Sequence, residues 1–184
     1  MKKIIVAAFA LVAIAFAPKA FSQTKNPMVG GAAMYATKNI VENAVNSKDH
    51  TTLVAAVKAA GLVETLASAG PFTVFAPTNA AFDKLPAGTV ATLVKPENKA
   101  TLTKILTYHV LAGKFTAGQI TAAIKKGKGT ATFTTVSGGK LKASLVGKKV
   151  KLTDENGGTA FVTIANVNQS NGVIHVIDSV VTPK

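Results

Sequence analysis

The chain has 184 residues, of which 48% are hydrophobic, so it can form one domain with a substantial core and is not disordered by composition. It contains no cysteine, which excludes disulfides, thiolate nucleophiles and cysteine metal sites. All 21 basic residues are lysines, and with 8 acidic residues they give a formal charge of +13 that favours anionic partners. Arginine, which binds phosphates and bases in a bidentate manner, and tryptophan, on which bases stack, are both absent. We therefore expect no nucleic-acid partner.

Residues 1–22 have the pattern of a secretory signal peptide. Two lysines precede an apolar run over 4–17 that is short for a membrane span, and Ala20 and Ser22 are the small residues expected before a cleavage site. Cleavage before Gln23 would leave 18 lysines against 8 acids, a charge of +10. We therefore expect a secreted or periplasmic protein without stable membrane insertion, the alternative being an uncleaved anchor.

Residues 23–36 lack periodicity and include Pro27, Gly30 and Gly31, which predicts a flexible leader before the folded domain. The first half of that domain has helical spacing, with Thr78 and Thr116 as candidate N-caps. The predicted helices cover residues 39–45, 51–70 with a break at Gly61, 78–85, 96–108 and 116–127.

The period changes to that of strands in the second half of the chain. Strands are predicted there at 129–136, 139–146, 148–155, 159–167 and 172–181, and one earlier buried strand is predicted at 71–77, between the helices of the first half. Helices followed by strands, without an internal repeat, indicate one α+β domain over residues 37–184.

His175 and Asp178 are the ionisable side chains of the last predicted strand. Side chains alternate between the faces of a strand, so these two point to opposite sides and cannot form a local catalytic dyad. Their neighbours on both faces are mostly apolar, which is typical of a strand covered on two sides. This pattern favours a hydrogen-bonded core histidine over a general base.

The other two histidines also lack a catalytic pattern. Leu102, Ile105, Leu106 and His109 have the i, i+3, i+4, i+7 spacing of a buried helical stripe, so His109 is expected to face the core near the helix end. His50 lies just before a predicted helix and is expected to be solvated.

Neither a metal site nor a catalytic centre is indicated by the spacing of the polar residues. The three histidines are separated by 59 and 66 residues, and no carboxylate cluster accompanies them. Asp154 and Glu155 lie beside a predicted turn, where acidic residues are usually solvated. The sequence also lacks a nucleophile elbow and a phosphate-binding loop, so we expect no enzyme activity, no metal and no cofactor.

Thr78 and Asn79 follow the strand predicted at 71–77 and have two interpretations. Asn79 could line a binding cleft. Alternatively, Thr78 caps a helix, Asn79 ties the turn to a neighbouring element, and Phe82 packs underneath. The structural interpretation is favoured.

Four lysines alternate with apolar residues on two predicted strands: Lys140, Lys142, Lys149 and Lys151. A hairpin that turns at residues 146–148 would place them side by side on one face. They could protect an exposed sheet edge from aggregation, or they could form a strip that binds an acidic polymer such as an anionic polysaccharide. Edge protection is somewhat favoured, although opposed like charges would cost stability.

Three stretches together resemble the homology blocks and the tyrosine–histidine motif of fasciclin domains. They are FTVFAPTNAAF at residues 72–82, YHVLAG at 108–113, and NGVIHVIDSVVTP at 171–183. The resemblance extends over 37–184 and is greatest to exported single-domain fasciclin proteins of bacteria. It implies a wedge-shaped β-sandwich with helices along one side, and it marks a set of motif residues: Thr78, Asn79, Phe82, Tyr108, His109, His175 and Asp178.

The resemblance also implies a function without catalysis, namely adhesion or interaction with a cell-surface or extracellular-matrix component. A second hypothesis is a carrier or receptor that holds a small apolar ligand or an anionic glycan between the helices and the sandwich. A hydrolase ranks below both. A sizeable apolar pocket would favour the carrier, and a wet cleft with a histidine beside a carboxylate would favour the enzyme.

Overall fold

The computed structural model describes residues 26–184. Within this range the chain forms seven α-helices: α1 (Ile40–Ala44), α2 (Thr51–Ala60), α3 (Val63–Ala67), α4 (Asn79–Phe82), α5 (Thr89–Leu93), α6 (Lys99–Tyr108) and α7 (Ala117–Lys126). Single 3-10 turns, Lys48–His50 and Pro96–Asn98, precede α2 and α6. The helix predicted at 51–70 is divided as expected, because Gly61 ends α2 in a left-handed conformation.

A mixed seven-stranded sheet carries most of the second half of the chain. Its strands are β3 (Phe72–Pro77), β4 (Val110–Ala112), β5 (Thr130–Thr134), β6 (Lys140–Val146), β7 (Lys149–Thr153), β8 (Thr159–Gln169) and β9 (Gly172–Ile177), while β1 (Met28–Val29) and β2 (Ala32–Ala33) pair separately. The order across the large sheet is β4-β3-β9-β8-β7-β6-β5. Only the β3–β9 pair is parallel, so the last strand lies beside the first strand of this sheet.

The sheet folds over itself at β8. The register between β8 and β9 shifts between Val162 and Ile164 and again between Ile164 and Val167, and Asn166 has a positive φ of 59°. Such bulges bend a strand and increase its twist. The bend brings β5, β6 and β7 over one face of β3 and β9, which makes a sandwich and confirms the predicted α+β fold.

Two hydrophobic clusters lie on opposite faces of β3 and β9. Val74 and Ile174 contribute to a cluster with α1, α2, α3 and α6, which we call the helical cluster. Phe75 and Ile177 contribute to a cluster with β6, β7, β8 and α7, which we call the sheet cluster. All six residues of β9 are buried. The alternation expected for a strand covered on both faces is therefore present.

The segment that precedes α1 differs from the prediction of a flexible leader at 23–36. Residues 28–29 and 32–33 form a short antiparallel pair, and the side chains of Val29 and Met34 are 4% and 2% exposed in the helical cluster. Pairing and burial of its apolar residues hold this segment on the domain. Residues 23–25 lie outside the described range.

The predicted signal peptide, residues 1–22, also lies outside the described residues. Between residues 26 and 184, no helix has both the length and the apolar composition needed to cross a membrane.

Candidate functional site: buried histidines and a basic face

His175 occupies the centre of β9 and is fully buried against the ring of Phe75. Its Nε2 donates to the carbonyl of Phe115, at 2.8 Å, because its Nδ1 accepts from the backbone N–H of Asn166, at 3.3 Å. Burial lowers the pKa of His175, and this opposes protonation. Both ring nitrogens are thus engaged in joining the β8 bend to the segment before α7.

His109 is at the C-terminal cap of α6 and is 3% exposed. Its Nδ1 lies 2.9 Å from the carbonyl of Ile105, and its Nε2 accepts from the backbone N–H of Val181 at 3.2 Å. Burial lowers the pKa of His109 to about 4, so the ring is neutral at pH 7. A neutral ring that accepts at Nε2 must carry its proton on Nδ1 and donate it to Ile105.

Tyr108, which precedes His109, is fully buried and donates its hydroxyl proton to the carbonyl of Lys140 at 2.6 Å. Burial raises the pKa of Tyr108 to about 12, so the phenol remains a donor at neutral pH. The ring covers Gly139, where an added Cβ would lie 2.6 Å from a ring carbon. The side chain therefore fixes the start of β6.

Asp178 follows β9 and binds the backbone of β8. Its Oδ1 accepts from the N–H of Phe161 at 2.8 Å, while its own N–H donates to the carbonyl of Phe161 at 3.2 Å. Asp178 and His175 have no hydrogen-bond partner in common. The carboxylate thus extends the β8–β9 ladder by one position.

The Thr78–Asn79 pair joins β3 and α4 to the start of α2. The hydroxyl of Thr78 accepts from the N–H three residues later and caps α4. Asn79 accepts from the N–H of Thr52 at 3.0 Å and donates to the carbonyl of Lys48 at 2.9 Å. Phe82 is half-buried against the helical cluster. Through these hydrogen bonds the side chain of Asn79 links α4 to the backbone at Lys48 and Thr52, and both its oxygen and its nitrogen are paired.

Two residues predicted to be solvated are buried, so those predictions are wrong. His50 is 3% exposed, because the 3-10 turn that precedes α2 directs its ring inward, where Nδ1 lies 2.9 Å from Ser47 Oγ. Asp154 is 6% exposed and accepts from the N–H groups of Asn156, Gly158 and Thr182. An Asp followed by Asn-Gly is a recognisable turn signal, but its reach to the C-terminal segment was not predictable from it.

Asn171 is a further structural residue that the sequence analysis did not identify. Its Oδ1 accepts from the N–H of Ile40 at 3.0 Å, and its Nδ2 donates to the carbonyls of Leu66 and Ser68 at 2.8 and 2.9 Å. One side chain at the β8–β9 turn therefore fastens α1 and α3 to the sheet. Its position at the start of the NGVIHVIDSVVTP stretch was the available signal.

The polar groups of the described residues do not converge on a reaction centre. No group of three or more histidine, aspartate or glutamate side chains there could hold a metal ion. Neither His109 nor His175 retains a free ring nitrogen for proton transfer. What this arrangement does chemically is join backbone segments inside an apolar core.

The four candidate lysines lie on one solvent-facing side of β6 and β7. Lys140, Lys142 and Lys149 are exposed and Lys151 is half-buried, while the alternate residues of both strands, Leu141 and Leu152 among them, face the core. The loop between the strands has two residues, 147–148. We call these four lysines the basic strip.

The register corrects two expectations about the basic strip. Lys142 lies opposite Thr153, Lys151 opposite Ser144 and Lys149 opposite Val146, so no lysine of the hairpin directly opposes another. Moreover, β6 pairs with β5 and β7, and β7 pairs with β6 and β8. Lys142 and Lys151 have partners on both sides, so they do not lie on a sheet edge that they could protect, whereas Lys149 is paired only with Val146 of β6.

The low pKa of His109 predicts a pH-dependent stability. Its pKa is about 4 in the folded protein and 6.5 when unperturbed, so the unfolded state binds more protons between these values. Stability from this residue is fully present above pH 6.5 and decreases as the pH falls towards 4, by about 3 kcal/mol in the free energy of unfolding.

Urea unfolding at pH 7 and pH 4 measures this effect. His109→Gln, which retains a donor and an acceptor, should be destabilised at pH 7 by about 1–3 kcal/mol but lose less stability on acidification. Val136→His, at a residue that is 47% exposed, should leave the pH dependence unchanged. Equal pH dependence for the parent and His109→Gln would contradict a buried neutral imidazole.

Comparison with known proteins gives concordant results. The sequence profile of the fasciclin domain matches residues 48–183. Protein sll1483 of Synechocystis sp. is 49% identical over 160 residues, covering 86% of this chain and 81% of that protein. Immunogenic protein MPB70 of Mycobacterium bovis is 34% identical over 197 residues, covering 96% of this chain and 92% of that protein. Cell surface glycolipoprotein MPB83 of the same species is 35% identical over 159 residues, covering 84% of this chain and 64% of that protein.

The fold has a solved counterpart in a FAS1 domain pair from the insect cell adhesion molecule fasciclin I. The TM-score is 0.67 at 17% identity, and the match covers 77% of this chain and 50% of that one. At this identity the match concerns the fold alone. With the profile match over most of the chain and the relatives in two bacterial groups, this protein belongs to the fasciclin domain family.

Proposed function

We propose that this protein is an exported, non-enzymatic fasciclin-domain protein that attaches to an acidic polysaccharide of a cell surface or extracellular matrix through the basic strip. The observation that carries the proposal is the position of four lysines on the solvent face of two interior strands. Since Lys142 and Lys151, at the centre of the basic strip, are paired on both sides and have no edge to protect, a ligand of opposite charge is the more economical reason for the clustering.

The register arranges the basic strip as a row. Lys140 and Lys142 are two residues apart on β6, as are Lys149 and Lys151 on β7, a spacing of about 7 Å on each strand. Lys142 and Lys151 are diagonal neighbours across the ladder, about 7–8 Å apart. A flexible chain with regularly spaced carboxylates or sulfates could contact the whole row, because each step is similar.

Hydroxyl groups border the row and suit a carbohydrate partner. On β5, Thr132 lies opposite Lys142 and Thr134 lies opposite Lys140, and both threonines are exposed. The ammonium group of Lys140 donates to the hydroxyl of Thr134 at 2.6 Å. Such groups can exchange hydrogen bonds with sugar hydroxyls, and lysine binds anions without the planar geometry that arginine imposes.

A role without catalysis is supported by the state of the motif residues. Their histidine nitrogens, the Asp178 carboxylate and the Asn79 amide are all used in joining backbone segments. The relative MPB83, which is named a cell surface glycolipoprotein, supports a role at the cell surface.

Export is supported by the leader pattern of residues 1–22 and by a relative named as a cell-surface protein. The mature protein, with a charge of +10, would be attracted to the acidic polymers of a cell envelope.

Retention on an acidic-polysaccharide column across a salt gradient tests the binding proposal. The parent should bind at low salt and elute as salt rises, because exposed charges are screened within about 8 Å at physiological ionic strength. Changing all four lysines of the basic strip to glutamine should shift elution to much lower salt. No lysine directly opposes another, so the melting temperature should change by only a few degrees.

The matched control removes the same charge from four exposed lysines elsewhere: Lys95, Lys99, Lys114 and Lys125. This control should elute close to the parent. If the two variants lose retention equally, binding depends on net charge and the basic strip is not the site.

N-terminal sequencing of the protein recovered from outside the cytoplasm of a bacterial host tests export. The mature chain should begin at Gln23, or within one or two residues of it, because Ala20 and Ser22 occupy the positions required for cleavage. A chain that starts at Met1 and stays in the membrane fraction would contradict the proposal.

A further inference from the structure

A cavity lies between the helices and one face of β3 and β9, on the opposite side of these strands from the sheet cluster. Its walls come from β1, α1, α2, α3, α6 and the sheet, with Ile40, Leu53, Val57, Leu66 and Ile174 among them. The cavity has a volume of about 60 Å³. This is several times the space of about 10–15 Å³ that one water molecule needs.

The lining of the cavity is almost wholly apolar. Four of its residues are polar: Ser47, His50, Lys58 and His109. Lys58 is exposed, while both nitrogens of His109 are engaged with backbone groups. The hydroxyl of Ser47 is paired with Nδ1 of His50. A ligand inside therefore meets hydrocarbon surface and one remaining polar atom.

That atom is Nε2 of His50. It is the buried side-chain nitrogen or oxygen that has no hydrogen-bond partner among residues 26–184, and the residue is 3% exposed. Burial lowers the pKa of His50, against smaller opposing influences of the Ala76 carbonyl and the Asp49 carboxylate, so the ring is neutral at pH 7. The Ala76 carbonyl is close enough to the ring to raise the pKa, but it does not reach hydrogen-bonding geometry with Nε2.

A buried nitrogen without a hydrogen-bond partner destabilises a fold unless a ligand supplies that hydrogen bond. A single water molecule is poorly suited here, because it would fill only a small part of a space that is walled almost wholly by apolar side chains. An organic molecule can instead bury an apolar body and present a single polar group. We infer that the cavity is a binding site for a small apolar alcohol whose hydroxyl pairs with Nε2 of His50.

The hydroxyl is favoured over a carboxylate for two reasons. Ser47 can either donate to or accept from Nδ1, so Nε2 can be an acceptor or a donor, and a hydroxyl pairs with both forms. A carboxylate could pair only with the protonated nitrogen, and it would have to lose its hydration against an apolar wall and a neutral ring.

The experiment uses the purified protein with 1-octanol and octanoate as probes, which have the same chain length but different polar groups. The affinities are measured by calorimetry, and the ¹⁵N shift of His50 Nε2 is followed during each titration. Contacts between the octyl chain and the methyl groups of Leu53 and Val57 are detected by nuclear Overhauser effects. We expect 1-octanol to bind about tenfold more tightly than octanoate, to shift Nε2, and to contact both residues.

Two pairs of variants separate binding from folding. His50→Phe should abolish the preference for the alcohol, and His50→Gln, which retains a polar group, should restore part of it. Ala44→Phe places a ring at the cavity wall and should weaken both probes, whereas Ala55→Phe, at an exposed residue of α2, should weaken neither. The Nε2 shift in the parent protein tests the contact even if a variant does not fold.

Three outcomes would overturn the inference. Tighter binding of octanoate would identify Lys58 at the cavity as the polar contact. Binding of 1-octanol without a shift of Nε2 would place the alcohol elsewhere. Failure of 1-octanol to bind up to its solubility limit would mean that His50 is simply an unsatisfied group. None of these results bears on the basic strip, so the proposed attachment function is tested separately.

Discussion

Burial of β9 on both faces is the constraint on which the rest of the structure depends. A central strand that faces helices on one side and a second sheet layer on the other has no access to water for its polar atoms. Its backbone pairs with β3 and β8, and its imidazole must find partners within the protein. His175 does so with Asn166 and Phe115.

The two partners of His175 explain why a polar residue is useful at this position. Asn166 lies in the bulge of β8, where the ladder is interrupted and a backbone N–H would otherwise be left unpaired. The imidazole accepts from this N–H and donates to the loop before α7, while the side chain of Asn166 accepts from the N–H of Ala117 at 2.7 Å. The bend that closes the sandwich is thereby fixed from inside the core.

Because the motif residues are used in this way, recognition is left to the surface and to the remaining cavity. The basic strip is on the outer face of the second sheet layer, and the cavity lies beneath the helices on the far side of β3 and β9. The two candidate sites are therefore separated by the core itself. A fold of this kind could attach to a polymer and hold a small ligand independently.

Local periodicity was sufficient to predict the main elements but not their contacts. The apolar residues on both faces of 172–181 indicated a covered strand, and the helical stripe that ends at His109 indicated an inward-facing ring. The burial of His50 depends on a turn that packs against Gly30, where an added Cβ would lie 2.4 Å from Ser47 Oγ, and no local pattern encodes that contact. The lysine register depends on a two-residue loop, 147–148, which places Lys151 opposite Ser144.

The ¹⁵N spectra of the histidine rings, recorded through long-range couplings between pH 7 and pH 5, test the central claim most directly. The account predicts two neutral rings at pH 7 in opposite tautomers, His109 with its proton on Nδ1 and His175 with its proton on Nε2, and both rings should protonate at a lower pH than a solvated imidazole. The lowered pKa values of both groups have the same cause, burial. A ring that exchanges between both tautomers and protonates near pH 6.5 would contradict the account, because such a ring would be exposed to solvent and could take part in proton transfer.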